Sequence, residues 1–490
     1  MQRAIRNFAF LFGACLLFHV AGTWTLPLID RDEPRFAEAS REMLERGDYV
    51  IPYFNNRYRF DKPPLTYWCQ TVSYRLFGEN DFAARFPSTI AASLTALLLL
   101  AWGRRLGSER LGWWAAIIFT LCAQTFVHGK AAVADMWLVL FMTAAHWAGY
   151  ELLRDRLRTG EHRTSNAQAA RPKVCWWWIF YIALALAFLA KGPIGWMPLL
   201  TVAATRLFLA DAQLNRRFLF FTGGLCTLSI VALWGIPALA RTNGEFFDIG
   251  IGRHVLERSV VAMEGHGANS VWSYLSTLPF YFALVFLSFF PWSFKLPWLT
   301  RTLWRRRDPL DNYLVVGIAI FFVMFTLIKT KLPHYTLPAF PLLALLFAKA
   351  MEGLPNTERF LRRAALVGGS AALLAVLATP VARRFSPAIQ LVEKARGDLR
   401  REMEFGAIDY KEPSLIWYFR KHVDGWLTDL DDDLLVPFME KPGARFVVLP
   451  TAMVTAMYPQ LPEGWKSYTA QGINTTTGRW VDLTLLLKPK

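Results

Sequence analysis

Three carboxylates stand where chemistry could be done at a membrane surface. Asp32 and Glu33 lie in Asp30-Arg31-Asp32-Glu33-Pro34-Arg35-Phe36-Ala37-Glu38, directly after the first apolar run. Asp135 lies in Ala131-Ala132-Val133-Ala134-Asp135-Met136-Trp137, at the edge of another apolar run. A carboxylate so placed can act as general base on a hydroxyl, or hold a divalent cation. Ionisable groups at apolar depth are costly, which makes Asp135 a functional candidate, unless it sits just outside the core and pairs with Lys130. Asp32 and Glu33 also have a plainer reading, as a solvated acidic turn that caps a helix and pairs with Arg31 or Arg35.

Cations accompany these acids. Lys62 follows Asp61 in Phe60-Asp61-Lys62-Pro63-Pro64, where two prolines exclude regular helix. Arg35 lies in the acidic run, and Lys191 opens Lys191-Gly192-Pro193. His254 and Arg258 lie in Gly252-Arg253-His254-Val255-Leu256-Glu257-Arg258, and Lys331, His334 and Tyr335 in Lys331-Leu332-Pro333-His334-Tyr335. Each could be an ordinary interfacial anchor. As a set they suit an anion such as a lipid phosphate, Arg by bidentate hydrogen bonds and Lys as a point charge. Acids beside a phosphate-binding set suggest group transfer from a phosphate-linked donor. The cations would clamp the leaving phosphate, and a carboxylate would orient or deprotonate the acceptor. The sequence has no Walker A loop, no GxGxxG at a strand-to-helix turn and no HExxH. ATP-driven and nicotinamide chemistry are therefore disfavoured, no nucleotide cofactor is expected, and a lipid-carried donor is the natural alternative.

These residues must be positioned by membrane helices. Of 490 residues, 54% are hydrophobic and 19% charged, which argues against a string of soluble domains. The net charge of +16 could suggest nucleic acid, but Arg and Lys fall in short clusters between apolar runs, as in membrane loops. About eleven runs approach spanning length: 8–28, 86–102, 111–128, 131–150, 174–190, 192–210, 217–240, 273–291, 311–328, 334–350 and 364–381. The first is long and lacks a small-residue cleavage site, so it reads as a span rather than a cleaved signal. With Arg3 and Arg6 inside, every strongly basic short loop falls on the cytoplasmic side. The opposite side receives the first long loop (29–85) with its acidic motif, the turns around 128–131, 191–193 and 329–334, the loop 241–272, and the whole C-terminal tail. Residues 1–382 thus read as a transmembrane domain and 383–490 as a soluble α/β domain. In that tail Phe405–Asp409 and Phe446–Leu449 resemble strands, and the residues after Pro413 resemble a helix. The stretch from Glu33 through Leu44 reads as an amphipathic helix lying along the membrane surface. The five cysteines are widely spaced, with no metal or disulfide pattern.

Taken in order, these motifs resemble the polyprenyl-phosphate-sugar-dependent GT-C glycosyltransferases, which include the lipid A aminoarabinose transferases and the more distant protein O-mannosyltransferases. The likeness rests on Asp32 to Glu38 after the first span, Asp61-Lys62-Pro63-Pro64 before Tyr67-Trp68, Asp135 after a short turn, Lys191-Gly192-Pro193, and Lys331 to Tyr335. The resemblance implies a GT-C type membrane all-α fold of about 11 to 13 spans with a periplasmic α/β domain. It implies catalytic roles for Asp32 and Asp135, with Glu33 beside them. It implies donor-phosphate contacts from Lys62, with Arg35, His254, Arg258, Lys331 and Tyr335 as further contacts. Relatives can carry Glu where Asp61 stands, so a divalent metal ion at Asp61 is a weaker implication. The implied donor is an undecaprenyl-phosphate sugar, and the acceptor lipid A or another envelope component outside the cytoplasm of a bacterial inner membrane. Two other readings stay open. One keeps the transferase and makes the acceptor a protein Ser/Thr or another surface glycan. The other is a flippase for the lipid-linked sugar, which would favour charges deep inside the spans and repeat symmetry.

Overall fold

The computed structural model describes residues 2–159, 174–207, 214–250, 271–305, 307–352, 354 and 357–489. Each of the eleven apolar runs is largely helical over its described residues. Among the described residues, six helices are long and apolar enough to cross a membrane: Gln2–Val20, Asp81–Arg105, Val174–Lys191, Arg216–Arg241, Pro309–Leu327 and Thr357–Arg383. A seventh crossing is possible if Tyr274–Ser288 and Trp292–Arg305, bent by 113°, count as one. The chain is a multi-pass membrane protein.

Of the other expected spans, 131–150 is one unbroken helix, Asp135–Thr159, that is long enough but less apolar, and the rest are broken or shorter. The run 192–210 holds a 3₁₀ turn at Pro193–Trp196 and then the eight-residue helix Met197–Ala204, well short of the roughly 20 residues a span needs. Cys122, in extended backbone, separates Glu109–Leu121 from Ala123–His128. The first helix ends at Val20, and the residues that were expected to extend it to position 28 form turns. Apolar content signals burial, but it does not tell an unbroken crossing from an interrupted one.

Local sequence explains several helix ends. Ser108 Oγ accepts a hydrogen bond from the Leu111 N–H, capping Glu109–Leu121. Asp308 and Asp311 form a reciprocal capping box with Pro309 in the first turn of Pro309–Leu327.

The chain divides into two units. The first comprises Met1–Val20, Phe60–Thr66 and Pro87–Leu373; the second comprises Ala21–Arg59, Tyr67–Phe86 and Leu374–Lys490. The first unit is helical. Asp135–Thr159 packs along Val174–Lys191, and Phe340–Met351 packs along Glu109–Leu121. Gly103 and Gly112 let their helices touch backbone to backbone, where any Cβ would collide. The surrounding core includes Trp102, Phe119, Tyr313 and Phe347, all fully buried.

The second unit differs from a tail domain beginning at residue 383. It takes in most of the first long loop. Its five-stranded sheet runs in the order Leu427–Asp429, Glu404–Ala407, Arg445–Pro450, Arg479–Lys488, Lys466–Asn474. The first three strands are parallel, and the last two join antiparallel. The strands expected near Phe405 and Phe446, and the helix Pro413–Phe419 with Pro in its first turn, are all present. The helix Asp32–Arg46 packs against Pro413–Phe419. Its residues from Phe36 to Met43 are all buried, so it is a core helix of this unit rather than one floating on a membrane surface. Buried ion pairs make such burial tolerable. Glu38 is bound by Arg41 and Arg420, and Arg420 also reaches Glu45 at 2.8 Å.

Candidate functional site

In the first unit, Asp135 is the first residue of its helix and Lys191 the last of the neighbouring one. A carboxylate at a helix N-terminus and an ammonium at a C-terminus each sit at the favourable end of the helix dipole. Lys191 Nζ lies 2.5 Å from Asp135 Oδ1, and both side chains are mostly buried. His334 Nε2 lies 3.9 Å from the same oxygen. The His128 and His334 ring centres lie 5.3 Å apart in a tilted contact, and Lys191 Nζ lies 5.8 Å from the Tyr335 ring centre. Gly192, at φ +81°, supplies a backbone that only glycine adopts readily, so the chain turns away directly after Lys191.

Asp135 therefore pairs with Lys191, 56 residues away, and not with Lys130. The Lys130 ammonium donates to the Phe18 and His19 carbonyls at 2.5 and 2.9 Å, closing the end of Gln2–Val20. Lys331 acts similarly. It donates to the carbonyls of Phe325 (3.0 Å), Thr326 and Ile328 (2.6 Å) at the end of Pro309–Leu327. Its three protons are thus satisfied by the protein, which is the role of a helix cap. Tyr335 packs on Phe325, ring centres 4.7 Å apart. Lys62 is half-buried, with its ammonium 3.1 Å from the Asp61 carbonyl. His254 and Arg258 lie outside the described residues.

Among the described residues no group of three or more His, Cys, Asp or Glu side chains could hold a metal ion, and Asp61 joins no such group. Beside Asp135 the nearest charge is the Lys191 ammonium, which would repel a divalent cation. The Asp135–Lys191 pair therefore does not fit a metal.

In the second unit the two acids of the loop have different surroundings. Glu33 is buried and gripped by Arg85 through two parallel bonds, Nε to Oε1 at 2.8 Å and Nη2 to Oε2 at 2.6 Å. It also accepts from the Ile29 N–H at 2.8 Å. Arg85 donates as well to the carbonyls of Thr23, Leu26 and Pro27. Glu33 is thus a brace that shapes the loop. Its neighbour Asp32 is exposed, and none of the hydrogen bonds or ion pairs of the described residues uses its carboxylate. It is the acid left open to a ligand. Arg35 is half-buried one turn along the same helix.

The chain leading to Asp32 is held at successive residues. The Leu28 N–H donates to the Tyr418 hydroxyl at 2.9 Å, and Asp30 Oδ1 accepts from the Ser414 N–H at 2.8 Å. Arg31 lies 3.7 Å from Glu412. Arg85, Ser414 and Tyr418 were not singled out from sequence. Only Arg85 carries a signal, as the one basic residue between Asp81 and Arg104 in Asp81–Arg105.

Burial pushes the Asp30 carboxyl up to about 7, with Glu412 adding to it, while the Ser414 bonds and Arg35 pull the other way. Burial, with Glu38 next in effect, likewise pushes Glu42 up to about 7. Acids raised in the folded state favour folding at low pH, and that contribution is lost as pH rises through the folded value. Stability should therefore fall between about pH 4 and 7 through these two groups. Thermal unfolding of the purified chain across that range should show the decline, and Asp30→Asn should make it shallower. An Asp30→Asn profile parallel to wild type would refute the assignment.

Comparisons with known proteins agree with this architecture. The family model for dolichyl-phosphate-mannose-protein mannosyltransferases matches residues 9–240. An undecaprenyl phosphate-alpha-4-amino-4-deoxy-L-arabinose arabinosyl transferase of Edwardsiella ictaluri is 31% identical over 363 residues, covering 71% of this chain and 61% of that protein. A similarly named protein of Proteus mirabilis is 27% identical over 376 residues, covering 74% and 64%. The chain thus spans about three fifths of the length of these curated relatives. ArnT from Cupriavidus metallidurans, crystallised with undecaprenyl phosphate, superposes with a TM-score of 0.74 at 20% identity, covering 98% of each chain. Its apo form gives 0.72 at 22% identity. The chain is thus similar in sequence to the aminoarabinose transferases and to the protein mannosyltransferase family, and it shares its fold with ArnT.

Proposed function

We propose that this protein transfers a sugar from an undecaprenyl-phosphate-linked donor to lipid A or a related envelope acceptor. The reaction takes place on the non-cytoplasmic face of the bacterial inner membrane, opposite the basic loops. The supporting observation is the sequence likeness to transferases named for an undecaprenyl phosphate sugar, which covers about seven tenths of the chain. The stretch matched by the mannosyltransferase model also contains Asp32, Lys62, Asp135 and Lys191.

In the proposed reaction the bond from the sugar's anomeric carbon to the lipid phosphate oxygen breaks. A bond from that carbon to an acceptor oxygen forms, and the lipid phosphate leaves as an anion. Lys62 and Tyr335 bind that phosphate and offset the charge it gains. Asp32 orients the acceptor, or takes its proton where the nucleophile is a hydroxyl. A phosphate acceptor is already nucleophilic and needs orientation only. Asp135 is buried against Lys191 and aligns that ammonium rather than meeting the acceptor. A flippase would place charges mid-span, whereas Asp135, Lys191, Lys130 and Lys331 all lie at or next to helix ends. The mannosyltransferase match favours a protein acceptor as the second reading.

Mass analysis of lipid A from cells with and without the active protein tests the main reading. A sugar-sized increment that depends on the protein is expected. Unchanged lipid A with a new glycan on envelope proteins would move the acceptor to protein. No change in either would overturn the transferase assignment.

A further inference from the structure

The second unit contains a cleft of about 350 Å³ that the proposed chemistry does not use. Its floor is Tyr418 and Asp81, and its walls include Trp24, Phe82, Ile389 and Val392. Lys421, His422, Arg383 and Arg396 stand around it. The walls and the charges together suit a molecule with an apolar part and an anionic head. The helices that bring Asp81 and Arg383 here are both of membrane-spanning length, and each places that residue at its terminus. Trp24, more than half exposed, follows the end of a third such helix. Residues at or just beyond the ends of three such helices are expected near lipid-headgroup level, where an exposed Trp is a usual anchor.

The acids of the cleft are already engaged. The two Asp81 oxygens accept from the Trp417 indole N–H and the Tyr418 hydroxyl, both at 2.8 Å. Glu393 is bound to Arg383 at 2.5 Å. Lys421 keeps only a 3.7 Å contact to Asp81 and stacks its ammonium on the Trp417 and Tyr418 rings. Arg396 is exposed. Burial lowers the Lys421 ammonium below its ordinary value in spite of Asp81. Burial also lowers His422, and Arg396, Lys421 and Arg401 lower it further, which reports a positive field. An anion entering the cleft would relieve both effects.

One bond ties this cleft to the acid-bearing loop. The Tyr418 hydroxyl donates to Asp81 inside the cleft and accepts from the Leu28 N–H, four residues before Asp32. The same tyrosine thus lines the cleft and fixes the approach to the open carboxylate. That linkage favours a reactant over a passing lipid. We propose that this cleft holds the phosphate-bearing headgroup of the acceptor lipid, with Lys421 and Arg396 as its anion contacts and Trp24 against its apolar part. This rests on the lipid-acceptor reading above. The volume suits a single phosphorylated sugar or a similarly sized head.

The test uses the full chain in phosphatidylcholine nanodiscs. Transfer is measured with donor and lipid A varied separately, and binding is measured by adding lipid A or phosphatidylglycerol to the discs. Lys421→Glu and Arg396→Glu should each raise the KM for lipid A about tenfold or more, and the KM for the donor should not follow. Lys421→Arg should recover much of the loss, which separates anion binding from a folding defect. Lipid A binding to wild type should weaken in the two charge-reversed variants. A rise in donor KM instead, or no change in either constant, overturns the proposal. So does charge-dependent binding of phosphatidylglycerol with none of lipid A, which would make the cleft a bulk-lipid site. If wild type makes no product yet binds lipid A through these cations, the transferase reading fails while the cleft assignment stands.

Discussion

Asp32→Asn should lower sugar transfer by about 10²–10⁴-fold while leaving the protein folded. The expectation follows from contrast with its neighbour. Glu33 is buried and has both oxygens in bonds, whereas Asp32 is exposed and takes part in none of the described ones. Replacing Asp32 by its amide removes a charge and a proton acceptor at a site where no partner is left stranded. Unfolding temperature should therefore stay near that of wild type. The assay is product formation in membranes, with unfolding followed on the same preparation. Activity near wild type would exclude Asp32 from the chemistry. A loss at the low end of the range is expected for a phosphate acceptor, which needs orientation more than proton removal.

Arg85→Ala should have the opposite character, a large loss of stability. Arg85 and Glu33 form a buried two-bond pair, and Arg85 also satisfies three carbonyls of the turn before Glu33. Removing one partner of such a pair typically costs about 3–5 kcal/mol, because the remaining charge stays buried alone. Glu33→Ala should be severe for the same reason. The double variant Arg85→Met with Glu33→Met should be less damaged than the sum of the single changes, since neither charge is then stranded. Unfolding midpoints of the three proteins decide this. A single-variant cost below about 1 kcal/mol would mean the pair is not buried as described. Activity should fall alongside stability, because Asp32 follows the turn that Arg85 holds.

The sequence made the chemistry legible as a set of residue types and the elements as segments. It did not make their pairing legible. Asp32 and Glu33 are adjacent acids and look equivalent along the chain; Arg85, 52 residues on, tells them apart. Lys191 and Lys331 looked alike as cations on one face. One closes a buried pair with Asp135, and the other caps a helix through three carbonyls. Such choices depend on tertiary contacts, to which spacing rules are blind. The helix Asp32–Arg46 was legible in extent, but its burial was not, since its charged residues find partners in distant segments such as Arg420. The strands near Phe405 and Phe446 were legible because they are short apolar runs between turn residues. Span number was the weakest reading, because a break such as Cys122 leaves hydropathy unchanged.

The second unit is drawn from segments that begin at residue 21 and finish with the last strand, Arg479–Lys488. That strand is internal to its sheet, between Arg445–Pro450 and Lys466–Asn474. A ribosome therefore makes the acid-bearing loop some hundreds of residues before the partners that fix it. Until those residues emerge, Asp30 lacks Ser414 and Leu28 lacks Tyr418, and the sheet lacks an internal strand. Contacts so distant in sequence form late, and the intermediate holds exposed apolar surface meanwhile. Newly made chains should thus remain inactive and protease-sensitive in the loop 21–59 until synthesis has passed residue 488, which couples the onset of activity to synthesis of the strand Arg479–Lys488.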